Sequence, residues 1–304
     1  MLQLHMENQF LTESEEDEME NLQVDVIIDR VADTLVKASS TFASDQIRAY
    51  ERAIARETNE NAKWVLEKLI ENSQIAEERS APLCDDTGTP HVIIELGENA
   101  ILPGYFLNAV EQGVAEGLRR LPARAMGVLG NEKERISQEK GLSEDPGYLA
   151  MAPVRIIRVT GDKIKVHVLM LGGGPELRGK TLRVFHKHNF DVVLDEMVAW
   201  AKEAVALLGC QPAILAFGVG RTNFEASALA VEALKDANFD EQSEIEKSIT
   251  EKVSAEHIGA LGLGGESSVL ATFVKIGMQR ASGWRVVSLR TECCVGPRKA
   301  FCEF

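Results

Sequence analysis

Three cysteines stand far apart in this chain, each in a stretch built like the wall of a site. Cys84 lies in Leu83-Cys84-Asp85-Asp86-Thr87-Gly88. Cys210 lies in Gly209-Cys210-Gln211-Pro212, just before the apolar run Ala213–Phe217, and Cys293 opens Cys293-Cys294-Val295-Gly296-Pro297. A thiolate is a nucleophile and a soft metal ligand. Zinc fingers and ferredoxin-type sites draw their cysteines from short local runs, and no such spacing is present. Cysteines this distant imply a site that the fold must assemble, of the kind that holds a metal cluster. Three thiolates on a four-iron cubane leave the fourth iron open, and an open iron is a Lewis acid. Five cysteines is an odd number, and no basic start followed by an apolar core opens the chain. Reduced thiols in a cytoplasmic protein are therefore expected, rather than a disulfide framework.

Glycines beside the cysteines have a physical use. Backbone that must approach a cluster or a substrate closely has no room for a Cβ, and its free N–H groups can bind carboxylate oxygens. Gly172-Gly173-Gly174 and Gly262-Leu263-Gly264-Gly265 are placed to do this, the second at what reads as a helix start, where the helix dipole favours anions. Gly218-x-Gly220 lacks the last glycine and the acidic partner of a dinucleotide fingerprint. His186-x-His188 has the form of a zinc pair but no third ligand nearby, and a structural role for both is expected. Cys302 matches no site.

The elements that must position these residues alternate between two periodicities. Apolar residues at helical spacing run over Val24–Ser39 and Ser44–Glu78, with Trp64, Val65, Leu66, Leu69 and Ile70 as the buried stripe of the second helix. Further helices are expected over Pro103–Arg120, Phe190–Leu208, Thr222–Asp236, Asp240–Glu256 and Gly264–Met278. Strands are expected at His91–Leu96, Ala213–Phe217 and Trp284–Leu289. Val154–Val159 and Lys163–Val168 flank a Thr-Gly-Asp turn and read as a β-hairpin. Residues 130–147 read as a loop. The acidic run within residues 1–22 reads as a solvated tail, which leaves 23–304 as one catalytic domain. The class is mixed α/β: a helix-rich domain around a small mixed sheet.

At this point the motifs resemble a known family. Cys84-Asp85-Asp86-Thr87-Gly88 resembles the Cys-Gln-Asp-Thr-Gly box of the iron–sulfur hydro-lyases, the class I fumarase and L-tartrate dehydratase family. Cys210-Gln211-Pro212 followed by Gly218-Val219-Gly220-Arg221-Thr222 is similar to its Cys-Pro-Pro strand and Gly-rich turn. Gly262-Leu263-Gly264-Gly265-Glu266-Ser267-Ser268 resembles its Gly-Leu-Gly-Gly helix start. The markers stand in family order over about residues 80–296.

The resemblance implies the large (alpha) subunit of an enzyme that hydrates or dehydrates a small hydroxy-dicarboxylate of the fumarate/malate or tartrate type. It implies a [4Fe-4S] cluster on Cys84, Cys210 and Cys293, with Cys294 the alternative third ligand. Asp86 would contact the substrate hydroxyl or its proton, Arg124 would bind a carboxylate, and Thr222 would supply a small polar contact. Gly173, Gly174 and Gly265 would add backbone N–H groups. Asp85 stands where the family has a neutral glutamine, so an anion faces an anionic substrate unless it is paired or turned away. The base and further arginines would come from a separate small (beta) subunit, in a dimer of heterodimers. Two rival readings stay open: a non-catalytic cluster-binding scaffold subunit, and an iron–sulfur ammonia-lyase acting on an amino acid.

Bulk properties narrow the partners. Hydrophobic residues make up 45% of the chain and charged residues 26%, ordinary proportions for a soluble globular protein. The net charge of −14, with no dense Lys/Arg cluster, argues against nucleic acid. No run of apolar residues is long enough to span a membrane.

Overall fold

The computed structural model describes residues 13–149 and 151–304, with side chains from residue 23 onward. Of the expected acidic tail, residues 1–12 lie outside the described residues, and from Glu13 the backbone is helical. Helices α1 (Glu13–Ser40), α2 (Ser44–Arg56) and α3 (Glu60–Arg79) lead into strand β1 (Thr89–Gly97). There follow α4 (Phe106–Arg120), α5 (Glu132–Ser137), β2 (Arg155–Val159), β3 (Ile164–Leu171) and the one-turn α6 (Gly173–Glu176). The second half comprises β4 (Lys180–Phe185), α7 (Phe190–Ala206), β5 (Ala213–Gly220), α8 (Asn223–Asp236), α9 (Glu244–Ser254), β6 (Val269–Ile276), β7 (Trp284–Glu292) and β8 (Arg298–Glu303).

The fold is mixed α/β as expected, but it holds two mixed sheets rather than one. The first has strand order β2-β1-β3-β8 and the second β4-β7-β5-β6. Only β1–β2 and β5–β6 pair in parallel. The expected hairpin of β2 and β3 does not form, because β1 lies between them. Ile94 pairs with Ile156 on one side and with Val166 on the other. The Thr160–Lys163 turn wraps the end of β1 instead, with Gly97 donating to the Lys163 carbonyl and Asn99 to that of Gly161. Alternation in β2 and β3 gives each strand its faces but does not name its neighbour.

The helix expected over Gly264–Met278 is strand β6. Its buried run Val269–Phe273 pairs with β5, all eight of whose residues are buried. A strand covered on both faces loses the alternation that would identify it, and a short apolar run then reads equally as helix. The single helix expected over Ser44–Glu78 is two, α2 and α3. Asn59 caps α3 by accepting from the N–H groups of Asn61 and Ala62. Trp64 is 59% exposed and lies outside the buried stripe, while Val65 and Leu66 are buried as expected. The loop over 130–147 contains α5, whose start is a reciprocal cap between Asn131 and Glu134.

Apolar packing occurs on three levels. α1 and α4 cover one face of β1 and β3 through Val31, Leu35, Val110, Val166 and Val168. α7 and α9 cover one face of the second sheet. Between the sheets lies a central cluster that joins Ile93 and Leu169 to Ile214, Ala216 and Tyr50. α8 carries the ionic part of this seam. Its buried Glu232 meets Arg155 at 2.5 Å and Lys275 at 3.1 Å, and its Lys235 meets Glu95 of β1 at 2.5 Å. Charges taken out of water are tolerable only when answered in this way.

α8 lies directly on β5. A Cβ at Gly218 would enter the carbonyl oxygen of Ala226, and backbone there cannot swing aside as a flexible side chain would. Gly218→Ala should therefore cost at least the 1–3 kcal/mol typical of overpacking, read as a lower denaturant midpoint at unchanged slope. A midpoint equal to wild type would show that α8 can lift from the sheet.

Candidate active site

Pairing places two of the cysteines side by side. β5 and β7 are antiparallel, with Ile214 opposite Glu292, so the start of β5 meets the end of β7. Cys210 stands just before β5 and Cys293 just after β7, and the Cys294 N–H donates to the Cys210 carbonyl at 3.0 Å. Cys84 comes from the α3–β1 loop, hung from α1 by the Leu83 N–H on the Ser39 carbonyl. Cys84, Cys210, Cys293 and Cys294 all pack in the central cluster between the sheets. Cys302 lies apart on β8, against the α1–α4 side.

The thiols of Cys210, Cys293 and Cys294 couple directly, with Cys84 close enough to feel their charge. Contact with Cys210 and with Cys294 holds Cys293 far below the usual thiol range, and the Val295 N–H and Arg298 add to this. Contact with Cys293 pushes up both Cys210 and Cys294, and burial adds to each. Burial pushes up Cys84. One thiolate is thus already stabilised, and proton loss from the others is opposed by its charge. Among the described residues no three His, Cys, Asp or Glu close on a single point as they would around one ion.

Buried atoms beside the thiols that lack a hydrogen-bond partner among the described residues include Arg298 Nε and Glu292 Oε2, with Gln211 Oε1 next to Cys210. Arg298 and Glu292 are all but fully buried. Burial pushes Glu292 up to about 8, with the Cys293 charge adding, so it holds its proton at neutral pH. An unanswered donor and a carboxyl beside several thiols make a setting that fits a sulfur-rich guest with hydrogen-bond acceptors.

The Cys84 loop enters β1 where β3 leaves for the Gly172–Gly174 turn, since Thr89 is opposite Leu171. Asp86 stands between them. One of its carboxylate oxygens accepts from the Gly88 N–H at 3.1 Å and the other from the Gly173 N–H at 2.8 Å. Arg298 Nη1 holds the Asp86 carbonyl at 2.7 Å. Gly173 and Gly174 are exposed. Arg124 reaches the same mouth: its N–H donates to Thr87 Oγ1 at 3.2 Å, and its Nη1 meets Asp85 Oδ2 at 3.0 Å. Asp85 is thus paired, and the carboxylate-binding arginine expected from the sequence is occupied by an internal carboxylate.

Other expected site residues stand elsewhere. Thr222 caps α8, accepting from the Glu225 N–H at 3.1 Å. It lies beyond the far end of β5 from Cys210, roughly 25 Å of strand away, so the structure does not bring it to the thiols. The glycines Gly218 and Gly220 answer to helix packing, since a Cβ on either would meet α8. His186 accepts from the His188 N–H at its Nδ1, and its Nε2 stands 2.7 Å from the Ser282 carbonyl, so both ring nitrogens are engaged by backbone.

Gly265 opens a strand lead rather than a helix. The N–H groups of Glu266 and Ser267 that follow it already hold an anion, the carboxylate of Glu57. Glu57, just past α2, is buried and also accepts from Thr58 and Asn59, each at 3.0 Å. A Cβ at Gly265 would strike this carboxylate. Sequence reasoning missed Glu57, although an acidic residue beside the helix break at Thr58-Asn59 was a usable signal. Burial pushes Glu57 up, but the N–H groups of Asn59, Glu266, Ser267 and Thr58 win and hold it below the usual carboxylate range.

A depressed carboxylate adds stability that is complete above the unfolded-chain value of about 4.3 and lost as pH falls through the lower folded value. Glu57→Gln should therefore lower stability at pH 7, and its deficit against wild type should shrink below about pH 4. Urea titrations at pH 7 and pH 3.5 check this, and a deficit constant with pH would contradict it.

The description Fumarate hydratase (Fumerase) belongs to the family that matches residues 28–302 of this chain. Among curated relatives, the "Putative L(+)-tartrate dehydratase subunit alpha" of Methanocaldococcus jannaschii is 26% identical over 279 residues, covering 88% of this chain and 93% of that protein. The "L(+)-tartrate dehydratase subunit alpha" of Escherichia coli (strain K12) is 22% identical over 258 residues, 83% of this chain and 82% of that one. The chain belongs to the fumarate hydratase family, and with it to the hydro-lyases.

Proposed function

We propose that this member of the fumarate hydratase family is the thiol-bearing subunit of a [4Fe-4S]-dependent hydro-lyase acting on a small hydroxy-dicarboxylate of the malate or tartrate type. The observation that carries the reading is the meeting of cysteines from three distant loops beside Asp86, with the unanswered Arg298 and Glu292 groups around them. Cys84, Cys210 and Cys293 would hold the cluster, which when bound supplies an open iron as Lewis acid for the departing or arriving hydroxyl. Cys293 is taken as ligand over Cys294 because it directly follows the end of β7, the place at which the family's ligand stands.

The chain's own residues then divide the work. Asp86 is fixed by the Gly88 and Gly173 N–H groups and faces the substrate hydroxyl, where it accepts or returns the proton. Arg124 and the exposed Gly173 and Gly174 backbone bind a substrate carboxylate. Gly265 serves by leaving room for the Glu57 carboxylate rather than by touching substrate. Thr222 is left out of the substrate contacts. The relatives' names include "subunit alpha", and a second subunit is the natural source of the base for the neighbouring carbon. Such an assembly would cover the open face around Asp85 (89% exposed) and Arg124 (60% exposed). Among the described residues no helix is long and apolar enough to cross a membrane, and a cytoplasmic location goes with the reduced thiols. Arg124 offers a cation to a substrate carboxylate at this mouth, which favours an acid substrate.

Anaerobic reconstitution tests the cluster. The chain should take up about four irons, and Ser at Cys84, Cys210 or Cys293 should abolish this while Cys294→Ala retains it. Dehydratase turnover, with the second subunit present, should decay in air and return with iron and reductant. Turnover indifferent to oxygen and chelators would overturn the reading.

Asp85 gives a separate test. A substrate carboxylate must displace Asp85 from Arg124, and exposed ion pairs are worth at most about 1 kcal/mol. Asp85→Gln should lower KM for the dicarboxylate about two- to fivefold with kcat unchanged. Arg124→Gln should raise KM. Unchanged kinetics in both would place this pair outside the substrate site.

A further inference from the structure

We propose that α2 is a brace that sets the relative position of the Cys210 and Cys293 loops, with Gln46, Tyr50 and Glu57 as its positioning residues. The proposal rests on the cluster reading above. The three residues, with Ala53 between the last two, fall on one face of a helix and the residue that follows it, spaced by four, three and four positions. This face is buried throughout: Gln46 is 2% exposed, Tyr50 and Ala53 are fully buried, and Glu57 is 7% exposed.

The two ends of the face hold two different loops. At the N-terminal end, Gln46 Nε2 donates to the Gly296 carbonyl at 2.7 Å, and the Tyr50 hydroxyl donates to the Cys294 carbonyl. Both acceptors belong to the segment that begins at Cys293. At the C-terminal end, Glu57 holds the Glu266 and Ser267 N–H groups. That loop in turn holds the Cys210 segment, with the Leu261 N–H on the Gln211 carbonyl at 3.2 Å and the Ala213 N–H on the Ser268 carbonyl at 2.9 Å. The Cys294–Cys210 backbone bond closes the ring between the two loops. Cys84 is outside it. Its loop hangs from α1 and from Asn72 of α3, whose side chain donates to the Leu83 carbonyl at 3.0 Å.

An apolar face would pack in the same cluster without any desolvation cost. What it could not do is fix which way the Cys293–Pro297 peptides turn. A donor at Tyr50 and another at Gln46, two carbonyls apart, fix the Cys294 and Gly296 carbonyls, and so the direction of the thiols between and beside them. Tyr50 is itself held in place by its ring, stacked on Phe42 with centroids 5.6 Å apart.

Tyr50→Phe removes one hydroxyl and leaves the ring. The test uses the full chain reconstituted anaerobically with iron and sulfide, and it compares wild type, Tyr50→Phe, Gln46→Leu and the exposed-face control Arg48→Ala. Three quantities are read: iron release to a chelator, the electron paramagnetic resonance spectrum of the oxidised three-iron form, and the unfolding midpoint of the metal-free chain. Tyr50→Phe and Gln46→Leu should each release iron about three- to tenfold faster, the factor that matches loss of one buried hydrogen bond. Their spectra should shift, and their metal-free midpoints should stay within about 5 °C of wild type. Arg48→Ala should match wild type in all three. Should Tyr50→Phe fail to fold, Gln46→Leu carries the same comparison. Iron release and spectra equal to wild type in both brace variants overturn the brace. A wild-type chain that takes up no cluster overturns the cofactor reading, and the brace falls with it.

Discussion

The antiparallel pairing of β5 with β7 is the constraint on which the site depends. Its register puts Ile214 opposite Glu292, so one strand begins where the other ends. From that end β7 continues through Cys293–Pro297 into β8, which pairs with β3 of the other sheet. One five-residue segment therefore carries two cysteines and crosses the seam between two sheets. Arg298, the first residue of β8, pairs with Met170 and holds the Asp86 carbonyl. The Cys84 loop, the Gly173 turn and the Cys293 segment are thus gathered by hydrogen-bonded strand ends rather than by their own contacts. A slip of one residue between β5 and β7 would turn every side chain of the slipped strand to the opposite face and unmake the site with the core.

Buried carboxylates in the seam each meet donors or cations. Glu57 is answered by backbone N–H groups, Glu232 by Arg155 and Lys275, and Glu95 by Lys235. Arg298 Nε and Glu292 Oε2 are among the buried atoms without a hydrogen-bond partner, and they differ from Arg155 Nε and Glu232 Oε1 in belonging to residues beside the thiols. The contrast is local: the same few ångströms hold the most stabilised thiolate and a carboxyl that keeps its proton. Burial raises Glu292, with the Cys293 charge adding, whereas contact with the Cys210 and Cys294 thiols lowers Cys293 against burial, and groups perturbed in this way gather where chemistry is done.

Much of the helical framework was legible from spacing alone, because α4, α7 and α8 each bury one stripe and expose the other. Strands β4 and β8 went unread, while β1, β2, β3, β7 and the wholly buried β5 were legible. β6 was not, since its covered run Val269–Phe273 carries no period to distinguish it. The pairing of β2 with β1 rather than β3 was out of reach for a different reason: a tight turn specifies that the chain reverses, and a third strand inserted from earlier in the sequence leaves no mark on that turn. The cysteines were legible because their neighbours form recognisable boxes. Thr222 stands at the cap of α8, apart from the thiols, because a fixed count of residues after Cys210 says nothing about a straight strand carrying the chain away. Glu57 escaped notice because its partners are backbone N–H groups of a loop more than two hundred positions later, and these have no identity in sequence.

The pair Asp85–Arg124 shows how an exposed interaction can matter more once it is covered. In the isolated chain both side chains are mostly in water, where their attraction is screened and small. A second subunit laid over this face would exclude water and lower the local dielectric, so the same contact would strengthen severalfold. Arg124 would then favour whichever carboxylate shares the closed space with it, Asp85 or substrate. A dianionic substrate brings a second carboxylate to the Gly173 and Gly174 N–H groups, and Asp85 cannot reach both places. The advantage of the substrate over the internal anion thus comes from binding two positions at once. A monocarboxylate lacks that second contact and competes with Asp85 for Arg124 alone. Under the proposed function, one aspartate in place of a neutral amide would sharpen selection for a substrate with two acidic ends, with no change in the residues that would hold the iron.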